Sequence, residues 1–251
     1  APVMTILPPI NGHRGAAAHA PENTIEGIRK AAARGVRGVE LDVAVTQDGG
    51  AVLFHDKTVE RTTDGQGQLN AHTIGDLARR DAGSWFHPDF AGAKIPTLAQ
   101  ALAVLQELDL KVNLEIKPQP GEDAATALAM IAEIARAWTQ PHPPLLSSFS
   151  MESLAAARQA APDIPRAAIF AHGHAADWLA TAAPNTVTSI HANKESLDRD
   201  AIAAIKAAGH LAGAYTVNSH WEAKRLFDAG VDYIFSDAPD EVMGAVSGTA
   251  E

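Results

Sequence analysis

From Pro9 onward, short runs of apolar residues alternate with longer alanine-rich stretches, the pattern of repeated βα units around a parallel sheet. Eight strands are predicted, at 10–13, 39–42, 112–117, 145–148, 167–170, 188–191, 212–216 and 233–236. Helices are expected between them at 24–34, 97–107, 123–138, 151–160, 175–182, 198–208 and 219–229, with a short one after Asp240. A ninth strand-like run, Ala51 to His55, follows the second strand after too few residues for the crossover that a parallel neighbour needs. It reads instead as the return arm of an antiparallel hairpin that turns at Gln47-Asp48-Gly49-Gly50 and brings His55 back beside Asp42.

Between that hairpin and the next helix, residues 57–96 are rich in Gly, Asp, His and aromatics, with one short helical piece near 74–80. This is the length of loop that compact domains keep for function, and it is expected over the mouth. The predicted architecture is a single (β/α)8 TIM barrel with a β-hairpin extension of strand two and a small insertion over the C-terminal face. Such barrels routinely occupy about 250 residues as one domain, so all 251 residues are assigned to one unit. No internal repeat below the βα level and no low-complexity tract appears.

Composition narrows the chemistry. A hydrophobic content of 46% supports a core that folds without staples, and the absence of cysteine removes disulfides, thiolate zinc sites and cysteine nucleophiles. A formal charge of −10 with no basic stripe argues against nucleic-acid and membrane partners, so an anionic small molecule would have to be captured locally. No apolar stretch approaches the roughly 20 residues that span a bilayer, and no secretory leader is visible at the start, which makes the cytoplasm the expected compartment. Ala1-Pro2-Val3 ahead of Met4 reads either as an extension before a native start or as the remnant of a trimmed export signal.

In this architecture active sites sit where the strands end. Strand one ends in His13-Arg14-Gly15, strand two in Glu40-Leu41-Asp42 and strand three in Glu115-Ile116-Lys117, while the hairpin returns through His55-Asp56. Alternation places Glu40 and Asp42 on the same face, about 6.6 Å apart along the strand, with Leu41 turned to the outer helices. Three carboxylates on one rim repel each other unless protons or a cation neutralise them, and an all-oxygen set favours Mg²⁺ or Ca²⁺. His13 and His55 titrate near neutrality and suit acid and base roles. Arg14 and Lys117 offer donors to phosphate oxygens, or balance the carboxylates as ion pairs. Of the other nine histidines, only His191, expected at the end of strand six, is a further candidate. Pro21-Glu22-Asn23-Thr24 opens the first helix, with Asn23 or Thr24 as its cap, and reads as architectural.

In order, His13-Arg14-Gly15, Pro21-Glu22-Asn23-Thr24, Glu40-Leu41-Asp42, Asp48-Gly49, His55-Asp56 and Glu115-Ile116-Lys117 resemble the glycerophosphodiester phosphodiesterase family. Asp81 to Phe86, Leu145 to Phe149, Tyr215 to Asn218, Gly230 to Asp232 and Ser236-Asp237 extend the likeness toward the bacterial cytoplasmic enzyme linked to glycerol-3-phosphate uptake. The resemblance implies hydrolysis of glycerophosphodiesters to sn-glycerol 3-phosphate and an alcohol. It also implies that Glu40, Asp42 and Glu115 bind one divalent cation, that His13 and His55 are general acid and base, and that Arg14 and Lys117 contact phosphate. Two other readings use the same residues: a lysophospholipid phosphodiesterase, which needs an apolar landing surface around Trp85, Phe86 and Phe90, and a catalytically silent barrel that binds glycerol phosphate. Nothing in the residue types fixes an oligomeric state or a preferred headgroup.

Overall fold

The computed structural model describes residues 6–246; the start at Met4 lies outside them. Among the described residues nine strands form one sheet: β1 Ile10–His13, β2 Gly38–Val45, β3 Ala51–Leu53, β4 Lys111–Ile116, β5 Leu145–Ser148, β6 Arg166–Phe170, β7 Ser189–Asn193, β8 Leu211–Tyr215 and β9 Tyr233–Ser236. The order β1-β9-β8-β7-β6-β5-β4-β2-β3, with β1 also pairing β2, closes eight parallel strands into a barrel and leaves β3 outside. The α-helices of the described residues are α1 Ile25–Ala33, α2 Ile74–Leu77, α3 Leu98–Glu107, α4 Asp123–Ala137, α5 Met151–Ala160, α6 Ala175–Ala182, α7 Arg199–Ala207, α8 His220–Ala229 and α9 Pro239–Val242.

The helices begin where side chains can satisfy their first free N–H groups. Thr24, Thr97, Ser150, Asp198 and Ser219 each accept a backbone N–H from the first turn, a device that contributes about 1 kcal/mol per helix. Outward strand residues meet the apolar stripes of these helices. Leu41 and Leu114 pack with Ile28, Leu102 and Met130 on one side, and Ile190 packs with Trp178, Ile202 and Leu226 on the other. The barrel interior is a separate cluster in which Leu145, Leu211, Tyr233 and Phe235 pack with Leu7, so that the N-terminal end is plugged. Fully burying each such side chain stabilises by roughly 1.5–3 kcal/mol.

The hairpin forms as expected, with Val43 opposite Leu53 and Val45 opposite Ala51. The Phe54 N–H donates to the Asp42 carbonyl at 3.0 Å, which carries His55 back to the rim. Beyond it, the insertion builds a small core of its own from Val59, Leu69, Leu77, Ala82 and Ile95 against Val52 and Phe54. Asp81 secures its second half by accepting the N–H groups of Gly83, Ser84 and Gly92. One expectation moves: the sixth barrel strand, β7, runs two residues past His191, which therefore lies mid-strand inside the barrel and not at the rim. The strand extends because Asn193 and Ala192 keep pairing with Tyr215 and Ala214, a partnership that only the folded sheet supplies.

Candidate active site

The register of the barrel brings the predicted residues together. His13 sits opposite Glu40, and Asp42 opposite Glu115, at the C-terminal ends of β1 and β4 and in the middle of β2, which runs on to Val45 in the hairpin. His13, Arg14, Glu40, His55, Glu115 and Lys117 all line one pocket with about 600 Å³ of empty space. Asp42 is only 1% exposed and stands behind them, its Oδ2 accepting from Asn23 Nδ2 at 2.9 Å and lying 3.3 Å from Arg14 Nε. Carboxylate oxygens of Glu40, Asp42 and Glu115 fall within 4.8 Å of one another.

Each histidine is oriented by a carboxylate. His13 Nδ1 lies 2.7 Å from Asp237 Oδ1, and His55 Nδ1 lies 2.6 Å from Asp56 Oδ1. Ionised carboxylates only accept, so each Nδ1 carries the proton and each Nε2 is left to react. For Asp237, burial works upward but is outweighed by His13, and its carboxyl is held below the usual range. For Asp56, the hydrogen bonds from Arg61 do the same. Asn218 braces Asp237, donating to Oδ2 at 2.8 Å and accepting the Asp237 N–H at 2.9 Å. Burial lowers the His55 pKa, so its imidazole stays neutral further into acid than a free one.

A second set of pairs ties the insertion to the rim. Arg61 donates through Nε to Asp56 Oδ2 at 2.6 Å and through Nη2 to Glu22 Oε1 at 2.7 Å. Glu22 Oε1 also accepts from Arg14 Nη1 at 3.0 Å. His55, Asp56, Arg61, Glu22 and Arg14 thus form one chain of charge-assisted contacts. No residue of 57–96 lines the central pocket; the insertion reaches the site through Arg61. Arg14 itself has a left-handed backbone, φ 52°, which turns its N–H onto Glu40 Oε2 at 3.0 Å. Lys117 Nζ lies 3.2 Å from Glu115 Oε1, so it both balances the carboxylates and faces the pocket.

The acidic cluster is short of compensation. Burial, with Asp42 and Glu115 beside it, pushes the Glu40 carboxyl well above its ordinary range, and Glu40 Oε1 is buried with no hydrogen-bond partner. Burial and Asp42 push Glu115 up to about 7 despite Lys117. Three converging hard oxygen donors, with Glu40 Oε1 unpartnered and Glu115 Oε1 met only by the Lys117 ion pair, fit a divalent cation.

Sequence reasoning missed two roles. Asn23 is not the helix cap, which is Thr24. With φ 55° it turns away from the helix to bond Asp42 at both the carboxylate and the backbone N–H. Asp237 and Asn218, quoted only as matching motifs, hold His13 across 224 residues of chain. Polar residues just after β8 and β9 were the available signal, because those strands end on the same rim.

The family model described as "Glycerophosphoryl diester phosphodiesterase family" matches residues 13–241. A glycerophosphodiester phosphodiesterase of Caldanaerobacter subterraneus subsp. tengcongensis is 31% identical over 238 residues, covering 93% of this chain and 96% of the relative. One from Bacillus subtilis is 31% identical over 245 residues, covering 91% and 83%. An Oleispira antarctica phosphodiesterase, solved in complex with the product sn-glycerol-3-phosphate, superimposes with a TM-score of 0.94 at 33% identity, covering 98% of this chain and 99% of that one.

Proposed function

The chain belongs to the glycerophosphoryl diester phosphodiesterase family, and on that premise we propose that its barrel mouth cleaves glycerophosphodiesters to sn-glycerol 3-phosphate and an alcohol. The observation that carries this reading is the ring of opposed groups on one rim. Two histidines, each backed by a carboxylate at Nδ1, flank three clustered carboxylates, with Arg14 and Lys117 beside them.

Glu40, Asp42 and Glu115 would hold one divalent cation, Mg²⁺ or Ca²⁺, which when bound supplies positive charge to polarise a phosphoryl oxygen. Arg14 and Lys117 add donors to the remaining phosphoryl oxygens as charge develops there. His55, kept neutral by its burial, accepts the proton of the attacking hydroxyl at Nε2. His13 is the general acid, delivering a proton from Nε2 to the departing alkoxide while Asp237, 2.7 Å from Nδ1, stabilises positive charge on the ring. Asp56 keeps His55 in the tautomer with a bare Nε2, and Asp237 holds the His13 ring in place. Among the described residues no helix is long and apolar enough to cross a membrane. The proposed setting is a single-domain enzyme acting in the cytoplasm.

The test is release of glycerol 3-phosphate from glycerophosphocholine and glycerophosphoethanolamine by purified protein, in EDTA and then with Mg²⁺ or Ca²⁺. Turnover restored by the cation supports both the activity and the carboxylate site. Folded protein that turns over neither diester with any divalent ion refutes the reading.

A further inference from the structure

Below the rim the pocket closes on a floor that the proposed reaction does not use. His191 and Asn113 line it, each 1% exposed, together with Ile169 and Phe235. The hydrogens around His191 can be placed one by one. Ser189 Oγ lies 3.1 Å from the Leu211 carbonyl, which only accepts, so the single serine hydrogen goes there. Tyr233 Oη, 2.5 Å from Ser189 Oγ, must then donate to the serine. That leaves Tyr233 Oη as the acceptor for His191 Nε2 at 2.9 Å, so Nε2 carries the imidazole proton.

Complete burial keeps His191 neutral, with its pKa pushed down to about 3. A neutral ring protonated at Nε2 has a bare Nδ1, and among the described residues the one hydrogen bond of the ring is that at Nε2. The opposite ring edge is packed against Gly213, where an added Cβ would come within 2.8 Å of His191 Cδ2. Asn113 Oδ1, on the same floor, is likewise buried without a hydrogen-bond partner. Two unpaired acceptors beside apolar walls call for a ligand that donates hydrogen bonds and carries C–H surface, which is the chemistry of a polyol. They repel phosphate, whose counter-charges, Arg14 and Lys117, are on the rim. The floor is also closed underneath by Tyr233, Leu211 and Leu7, so a variable headgroup has room only toward solvent.

Resting on the function proposed above, we infer that the floor is a hydroxyl-recognition subsite: His191 Nδ1, with Asn113 Oδ1, accepts hydrogen bonds from the terminal hydroxyl of the glyceryl group, and the other alcohol points outward. Tyr233 and Ser189 are positioning residues that fix the imidazole tautomer. Specificity for the glyceryl end thus lies in a relay buried beneath the chemistry.

The experiment compares kcat/KM for glycerophosphocholine with that for the phosphocholine diester of propane-1,2-diol. That analogue lacks only the terminal hydroxyl and retains the one next to the phosphoester. The wild type should prefer the glyceryl substrate at least about tenfold, since the analogue leaves buried acceptors unpaired. His191→Phe, and more weakly Tyr233→Phe, should bring the ratio toward one, with the loss appearing mainly in KM for the glyceryl substrate. Equal turnover of the two diesters by the wild type overturns the inference without any variant. So does a His191→Phe protein with a normal melting transition and an unchanged ratio; if that variant does not fold, the Tyr233→Phe ratio decides in its place. Failure of the wild type to hydrolyse either diester, by contrast, sinks the proposed function itself.

Discussion

His55 shows how single side chains are set for chemistry here. Asp56 fixes its Nδ1 proton, and burial keeps the free ring neutral. Replacing His55 by Ala should lower kcat/KM by about 10²–10⁴-fold with little change in melting temperature. Asp56→Asn should cost less, because the ring remains but its preferred tautomer is lost. The pH dependence follows from the sign of the shift. In the proposed base role His55 must be unprotonated, and its pKa is depressed, so kcat/KM should persist below the ordinary imidazole value and fall only as pH drops through the lowered one. A pH–rate profile whose acid limb lies above about 6.5 would remove His55 from the base role.

At the scale of elements, the rim depends on how β1 leaves the barrel. Gly15 has φ 96°, and a Cβ there would stand 2.9 Å from the Gly27 backbone carbon in α1. Gly15→Ala should therefore destabilise by about 1–3 kcal/mol, read as a lower urea midpoint, and should displace Arg14 with it. The insertion contributes differently, through one side chain. Arg61→Ala breaks the bridge between Asp56 and Glu22 and should lower kcat/KM about 10- to 100-fold, although Arg61 does not line the central pocket. Lys at this position restores one charge but not the fork to two carboxylates, so Arg61→Lys should recover only part of the loss. Unchanged kinetics in both variants would reduce the bridge to a surface ion pair. Legibility at this scale was uneven. The hairpin followed from a spacing too short for a crossover, whereas the reach of Arg61 to Glu22 depends on the folded course of the loop.

For the whole molecule, the carboxylate ring couples stability to pH and cation. Glu115, at about 7, and Glu40, also raised, bind protons in the folded protein at pH values where the unfolded chain has released them. Stability from these groups is thus present below the ordinary carboxylate range and is lost as pH rises through the raised values. A divalent cation held by the three carboxylates would take over the neutralising role, so the rise in melting temperature at one fixed cation concentration should be larger at pH 8 than at pH 5, with a stabilisation of about 2.7 kcal/mol where that concentration reaches 100 times Kd. Equal stabilisation at both pH values, measured by calorimetry, would place the cation elsewhere. The sequence by itself determined the barrel, the hairpin and the convergence of the seven candidate residues at one mouth, because strand periodicity and strand ends are local properties and the rim is where those ends converge. Only the tertiary structure decided that Asn23 serves Asp42, that Asp237 and Asn218 hold His13, and that His191 lies mid-strand with a fixed tautomer. Those pairings join residues distant in the chain, and their partners are set by barrel register and closure, which no local window of sequence contains.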